Sequence, residues 1–326
     1  LPPSPPATVS VAPGFSIAPL VTGLEQPTAL AYGPDGRLYI AQRSGSVVVT
    51  DGTAAPQPYL TGLSKPLGLI WADEALYVVQ QGSVRQALDT DADGQPDQQR
   101  DLLPDLPDGA ESATIADGGD GWLYVGVGTH ADHAATPGAL EGSILRFRPD
   151  GTGVEVYATG LRMPFGLAFD SRRQLYATEN GREGLGYDSP PDEINQIQPG
   201  ADYGWPRCWG GRREDPDGGG SAELCAQTQA PVAELPAHAG AAGLVFYSAA
   251  AFPAEYHGDA FVALSGSWYG AEARGHSVVR MHGPAREILP FASGFGRPVG
   301  LAVGPEGQLL VVDYDRGIVY RIVAAS

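Results

Sequence analysis

The residues best suited to chemistry fall in a few short runs. In LDTDADGQPDQQRD, Asp89, Asp91, Asp93 and Asp97 surround Gly94. Carboxylates at alternate positions converge on one point when the chain turns sharply at a glycine, and hard oxygen ligands suit Ca²⁺. The twelfth loop position is Arg100, not the bidentate glutamate of an EF-hand, so a structural calcium loop of another kind is expected. A solvated acidic turn is the competing reading. Arg162 follows the end of one apolar unit and precedes Met163-Pro164; held there, its planar fork can face a carboxylate in a central channel or pair with a neighbouring acid. The polar, Gly-rich excursion from Asn180 to Pro191 is a candidate binding rim. In SGSW, Trp268 closes an apolar strand and can stack on a flat ligand or fill a core. His130, Asp132 and His133 share a loop and are read as surface residues near the cleft, with a transition-metal site as the weaker option.

The elements that carry these residues repeat. PFGLAFDSRRQLYATEN is an apolar run, a polar turn and a second apolar run, the pattern of a β-hairpin. It recurs as QPTALAYGPDGRLYIAQ, KPLGLIWADEALYVVQ, SATIADGGDGWLYVGVG and RPVGLAVGPEGQLLVVD, with a divergent copy between Ala241 and Gly266. About six copies, each a unit of ~40–50 residues, predict an all-β chain folded as a six-bladed β-propeller. A β-sandwich would not need the repeat. The lone alternating segment Gly14 to Thr22 is expected to pair with Gly317 to Val323 and so close the ring. Residues 1–13 then form a Pro-rich lead, and residues 14–326 a single domain.

Composition narrows the function. With 20 basic and 38 acidic residues the net charge is −18, which argues against nucleic acid or an anionic membrane as partner. No apolar run approaches the ~20 residues of a membrane-spanning helix. A lead reading LPPSPPATVSVAP suits an exported chain whose signal or anchor has been removed. Cys208 and Cys225 lie close together among loop residues; a disulfide between them fits export, and two free thiols are the alternative. A monomer is expected.

Along nearly its whole length the sequence resembles the soluble sugar and sorbosone dehydrogenases that use pyrroloquinoline quinone (PQQ), which are six-bladed propellers. The matching stretches, in order, are GPDGRLYIAQRSGSV, GSILRFRPDGTGVEVYATGLRMPFGLAF, YATENGREGLG with PPDEIN, GADYGWPRC, AFPAEYHGDAFVALSGSW and GRPVGLAVGPEG. The resemblance implies oxidation of a sugar or related polyol or aldehyde, with electrons passed on to an external acceptor. In that family a histidine is the general base, calcium polarises the quinone and arginines hold its carboxylates. Arg162 matches the arginine of the family's Gly-Leu-Arg-Asn-Pro motif and Arg297 the arginine before Pro-Val in the last blade. Tyr187 to Asp192 matches the loop whose backbone carbonyls approach the calcium, which makes Tyr187 and Asp188 candidate cofactor contacts.

The sequence departs from the family pattern in three places. The family's histidine falls at or next to Ala110, where this chain has none; Glu111 is the expected substitute base, with His130 or His133 as alternatives. Met163 replaces the asparagine of the motif, and Ser265 to Tyr269 stand where sorbosone-type members have His-Gly-Ser-Trp-Asn. A missing general base lowers the rate by ~10²–10⁴-fold. A second reading, from a different class, is therefore a propeller without redox activity that binds carbohydrate or protein on its loop face. A third, calcium-dependent hydrolysis, would need several carboxylates around a metal in the channel.

Overall fold

The computed structural model describes residues 8–91, 93–107, 112–132, 137–267 and 273–325. Six sheets form a six-bladed propeller. Blade 1 runs from its inner to its outer strand through Pro27–Tyr32, Leu38–Gln42, Ser46–Thr50 and Gln57–Thr61; blade 2 through Gly68–Ala72, Ala75–Gln80, Ser83–Leu88 and Gln98–Leu102. Blade 3 consists of Ser112–Asp117, Leu123–Val127, Ser143–Phe147 and Glu155–Ala158, and blade 4 of Pro164–Phe169, Leu175–Glu179, Asp192–Ile197 and Ala233–Leu235. Blade 5 contains Ala241–Phe246, Ala260–Leu264, Ser277–His282 and Glu287–Ser293; blade 6 contains Pro298–Val303, Leu309–Asp313 and Ile318–Ala324.

Closure follows the expected pairing. Phe15–Val21 is the outer strand of blade 6, with Ile17 opposite Ile322 and Val21 opposite Val319. The Pro-rich lead also contributes: Ser10 and Val11 pair with Ser293 and Ala292 as a fifth strand of blade 5. Two β-branched or small residues give too short an alternation to be read as a strand.

Each hairpin repeat supplies the inner two strands of a blade, and the reason is burial. The second strands LYIAQ, ALYVVQ, LYVGV, LYATE, AFVAL and LLVVD are buried on both faces between neighbouring blades. The core accordingly divides into six apolar clusters, one per blade-to-blade junction: Tyr39, Leu69 and Leu76 join blades 1 and 2, and Leu30, Ile40 and Leu310 join blade 1 to blade 6. Removing apolar area from water at every junction is what holds a ring of separate sheets together.

Candidate functional site

The inner strands all start at one end of the ring, and the second strands all finish there. Residues flanking those ends therefore face one another across the channel mouth. They enclose a cavity of about 470 Å³, whose wall includes Thr28, Leu67, Phe165, Ala242 and Val299 from the inner-strand starts, and Arg43, Asn180, Ser265 and Tyr314 just after second strands. A repeated backbone bond fixes these second-strand ends. Arg43 N–H donates to the Gln26 carbonyl at 2.9 Å, Asn180 to Met163 at 3.3 Å, Ser265 to Gly240 at 2.8 Å and Tyr314 to Arg297 at 2.9 Å.

The wall carries charged side chains from several blades. Arg43, Arg162, Arg297 and His238 line it, together with the acids Glu183 and Asp192. Arg162 is braced by Asp132 at 3.0 Å and by the Gly181 carbonyl at 3.0 Å, while Arg297 lies 3.4 Å from Asp315 with its guanidinium 5.2 Å from the Tyr314 ring centre. Asp192 is 1% exposed and accepts N–H bonds from Gly181, Gly240 and Ala241 at 3.1, 2.7 and 3.0 Å. Burial raises its carboxyl to about 6, against the pull of those three donors. His238 holds a left-handed backbone, φ 57°, and its Nε2 lies 2.9 Å from the Gly186 carbonyl. Such a bond puts the proton on Nε2 and leaves the Nδ1 lone pair as acceptor, and a strained backbone at a cavity wall is a mark of functional sites.

Behind Arg162 lies a second, much smaller chamber of about 20 Å³, lined by Glu179, Glu193, Trp205, Trp209, Arg182 and Asp215 among others. Arg162 and Gly181 are common to both walls. The insertion between the last two strands of blade 4 roofs this chamber, and the Cys208–Cys225 disulfide cross-links it, as the sequence suggested. Arg182, 4% exposed, ties the rim to that insertion through Asp215 and Asp217, each at 2.7 Å. Desolvation raises the Glu179 carboxyl well above its ordinary range, and the neighbouring Glu193 adds to the shift; burial raises Glu193 itself to about 7.

The candidates read from the sequence are distributed unevenly. Arg162 and Arg297 meet at the cavity. Tyr187 and Asp188 belong to the rim, where Arg274 donates to the Tyr187 carbonyl at 2.9 Å, pairs with the Asp188 carboxylate at 2.5 Å and lies 4.0 Å over the Tyr187 ring. A guanidinium thus already sits at that carbonyl. Glu111, Trp268 and His133 lie outside the described residues. His130 pairs with Glu141, and Asp132 pairs with Arg162 and accepts the Glu183 N–H. In the acidic loop, Asp89, Asp91 and Asp97 place oxygens within 4.8 Å of one another, while Asp93 accepts the Gln95 N–H at 2.8 Å. This loop joins the third and outer strands of blade 2, at the end of the blade opposite the cavity. Arg43, Tyr314, Glu179 and the role of His238 escaped the sequence reading. For the first three, the signal was there: each ends or directly follows the second strand of its repeat.

The family model described as Glucose / Sorbosone dehydrogenase matches residues 84–320 of this chain. An uncharacterized protein of Borreliella burgdorferi is 26% identical over 97% of this chain and 91% of that protein. Among solved structures, the holo form of the pyranose dehydrogenase PQQ domain from Coprinopsis cinerea superposes with a TM-score of 0.82 at 18% identity, covering 98% of both chains. The PQQ-bound aldose sugar dehydrogenase of Streptomyces coelicolor gives a TM-score of 0.73 at 23% identity, covering 98% of this chain and 99% of that one. At these identities the structural likenesses establish the propeller fold. Among the described residues no helix is long and apolar enough to cross a membrane.

Proposed function

The chain belongs to the glucose/sorbosone dehydrogenase family, and on that premise we propose that it is an oxidoreductase that binds PQQ in the channel-mouth cavity and oxidises a sugar, or a related polyol or aldehyde. The observation that carries this reading is the convergence of Arg43, Arg162, Arg297 and His238 on one cavity that also has the apolar faces of Leu67, Phe165 and Val299. A flat tricarboxylate needs that combination: planar cationic forks for its edges and apolar walls for its faces. Arg162 and Arg297 would hold carboxylates of the quinone. Once bound, PQQ supplies the two-electron acceptor for hydride from the substrate carbon.

The chain's own task is then to take the hydroxyl proton. His238 fits this role, with Nδ1 available while the Gly186 carbonyl fixes the ring. Glu111 remains the second proton acceptor proposed from sequence position. Calcium is proposed at Asp89, Asp91 and Asp97 in a structural role, as expected for a site at the far end of blade 2. Export fits the disulfide.

The test is reconstitution with PQQ and calcium followed by a sugar screen with an external dye as electron acceptor. His238→Asn should lower kcat by ~10²–10⁴-fold with PQQ binding retained, and Glu111→Gln gives the parallel test. PQQ bound tightly but never reduced by any sugar would sink the oxidoreductase reading and leave a carbohydrate- or protein-binding propeller.

A further inference from the structure

The second strands of blades 1, 2 and 4 end on a long polar side chain that accepts a backbone N–H from the segment leading into the inner strand. In blade 1, Gln42 Oε1 takes the Glu25 N–H at 2.5 Å, and in blade 2, Gln80 Oε1 takes the Ser64 N–H at 2.9 Å. Each glutamine also donates through Nε2 to the residue across the strand pair, Ser46 and Ser83, both at 2.9 Å. In blade 4 the same place holds Glu179, whose Oε1 takes the Arg162 N–H at 2.5 Å. Its cross-strand partner is not a serine but a second acid, Glu193.

Two buried carboxylates directly opposite each other resist ionising together. Glu193 accepts from Gly210 N–H at 2.7 Å and Asn195 Nδ2 at 3.0 Å, bonds that favour its charged form. Glu179 Oε2 has no protein partner, and neither do Arg162 Nε, Trp205 Nε1 and Trp209 Nε1. All four belong to residues lining the 20 Å³ chamber, which has room for about one water. Arg162 therefore has the anion cavity on one side and a titratable acid on the other.

We propose that Glu179 is a proton-linked positioning residue for Arg162. As a neutral acid it does what Gln42 and Gln80 do, holding the Arg162 segment at the cavity wall. On losing its proton it sets a buried negative charge against the guanidinium and competes with the anion in the cavity. By linkage, an anion entering the cavity takes up a proton, and its affinity falls as pH rises. The charged groups facing Glu179 are Arg162 before the inner strand and Glu193 on the third strand; Arg182 and Asp215 also line the chamber. Around these, Asp132 pairs with Arg162, Asp192 adjoins Glu193, and Glu234 acts on Glu193 from the outer strand. His238 and Asp192 also line the cavity, so the deciding comparison is wild type against Glu179→Gln, the residue blades 1 and 2 already accommodate in this place.

This inference needs an anion-binding cavity but not the oxidoreductase reading. Calorimetric titrations with PQQ, and separately with benzene-1,3,5-tricarboxylate, in buffers of different ionisation enthalpy at several pH values from 6 to 9 count the protons taken up. Wild type should take up a fraction of a proton and lose affinity by up to tenfold per pH unit, while Glu179→Gln binds with a flat or clearly shallower dependence. Equal proton uptake in both proteins would overturn the inference and leave PQQ binding intact. Tricarboxylate binding with Glu179-dependent uptake but no PQQ binding would uphold it while removing the proposed function. Failure of both ligands to bind would overturn it as well.

Discussion

Gln42 and Glu179 occupy the same position in two blades and do the same backbone work, yet their surroundings differ. Gln42 finds an acceptor in Ser46, so every polar atom is used; Glu179 faces Glu193 and leaves Oε2 without a protein partner. The Gln42–Ser46 pair of blade 1 is neutral and satisfied, whereas the Glu179–Glu193 pair of blade 4 is acidic and lies against Arg162, under a disulfide-linked cover. The ring is built for stability at blade 1 and gives up stability for a charge-bearing site at blade 4, since unsatisfied buried polar groups persist mainly where function retains them.

Substitutions at each blade end should separate the two. The largest effect is expected from the disulfide-linked cover of blade 4: Cys208→Ser with Cys225→Ser should lower unfolding free energy by about 3 kcal/mol in the chain-entropy picture, measured by denaturant titration. Next, Gln80→Glu installs the blade 4 acid in blade 2. At pH 8 it should cost about 1–3 kcal/mol, and less at pH 5, because a buried carboxyl placed where Gln80 Nε2 now donates to Asp101 at 3.0 Å binds its proton more tightly folded than unfolded. A pH-independent loss would mean that the blade end is not the low-dielectric site described here.

Glu179→Gln runs the opposite way, with a smaller effect read by the same denaturant titration. The sign follows from the shift: Glu179 has its affinity for the proton raised by folding, so its contribution is complete below the ordinary glutamate range near 4.5 and is lost as pH rises through the folded value. The variant should thus match wild type near pH 5 and exceed it at pH 8–9. Smallest of all, Asp91→Asn at the far end of blade 2 should reduce the calcium-dependent rise in Tm, read by thermal shift with and without chelator.

The fold was almost wholly legible because the repeat encodes it. LYIAQ, ALYVVQ and LYATE announce strands buried on both faces, and the alternation of Gly14 to Thr22 announced the closing strand. The short pairing of Ser10 and Val11 was not, since two residues carry no period. At the cavity, the wall positions of Arg162 and Arg297 were legible through motif position and the Asn180 to Pro191 rim through composition, but not the hold of Arg274 on Tyr187 and Asp188, 86 residues away along the chain from Asp188. Long-range capture of that kind leaves no local signal. The chemistry of Glu179 was hidden for a related reason: its meaning comes from Glu193 across the strand and from the chamber behind Arg162, not from its neighbours in sequence.

The channel mouth is proposed as an anion site built around Arg162 and Arg297. Its most direct test is absorbance titration of the purified protein with PQQ in the presence of calcium, with thermal shift in parallel, for wild type, Arg162→Ala and Arg297→Ala. Saturable binding that raises Tm in the wild type and weakens at least ~10-fold in each variant is the predicted result. No saturation well above micromolar PQQ in the wild type, or undiminished binding in both variants, would contradict it.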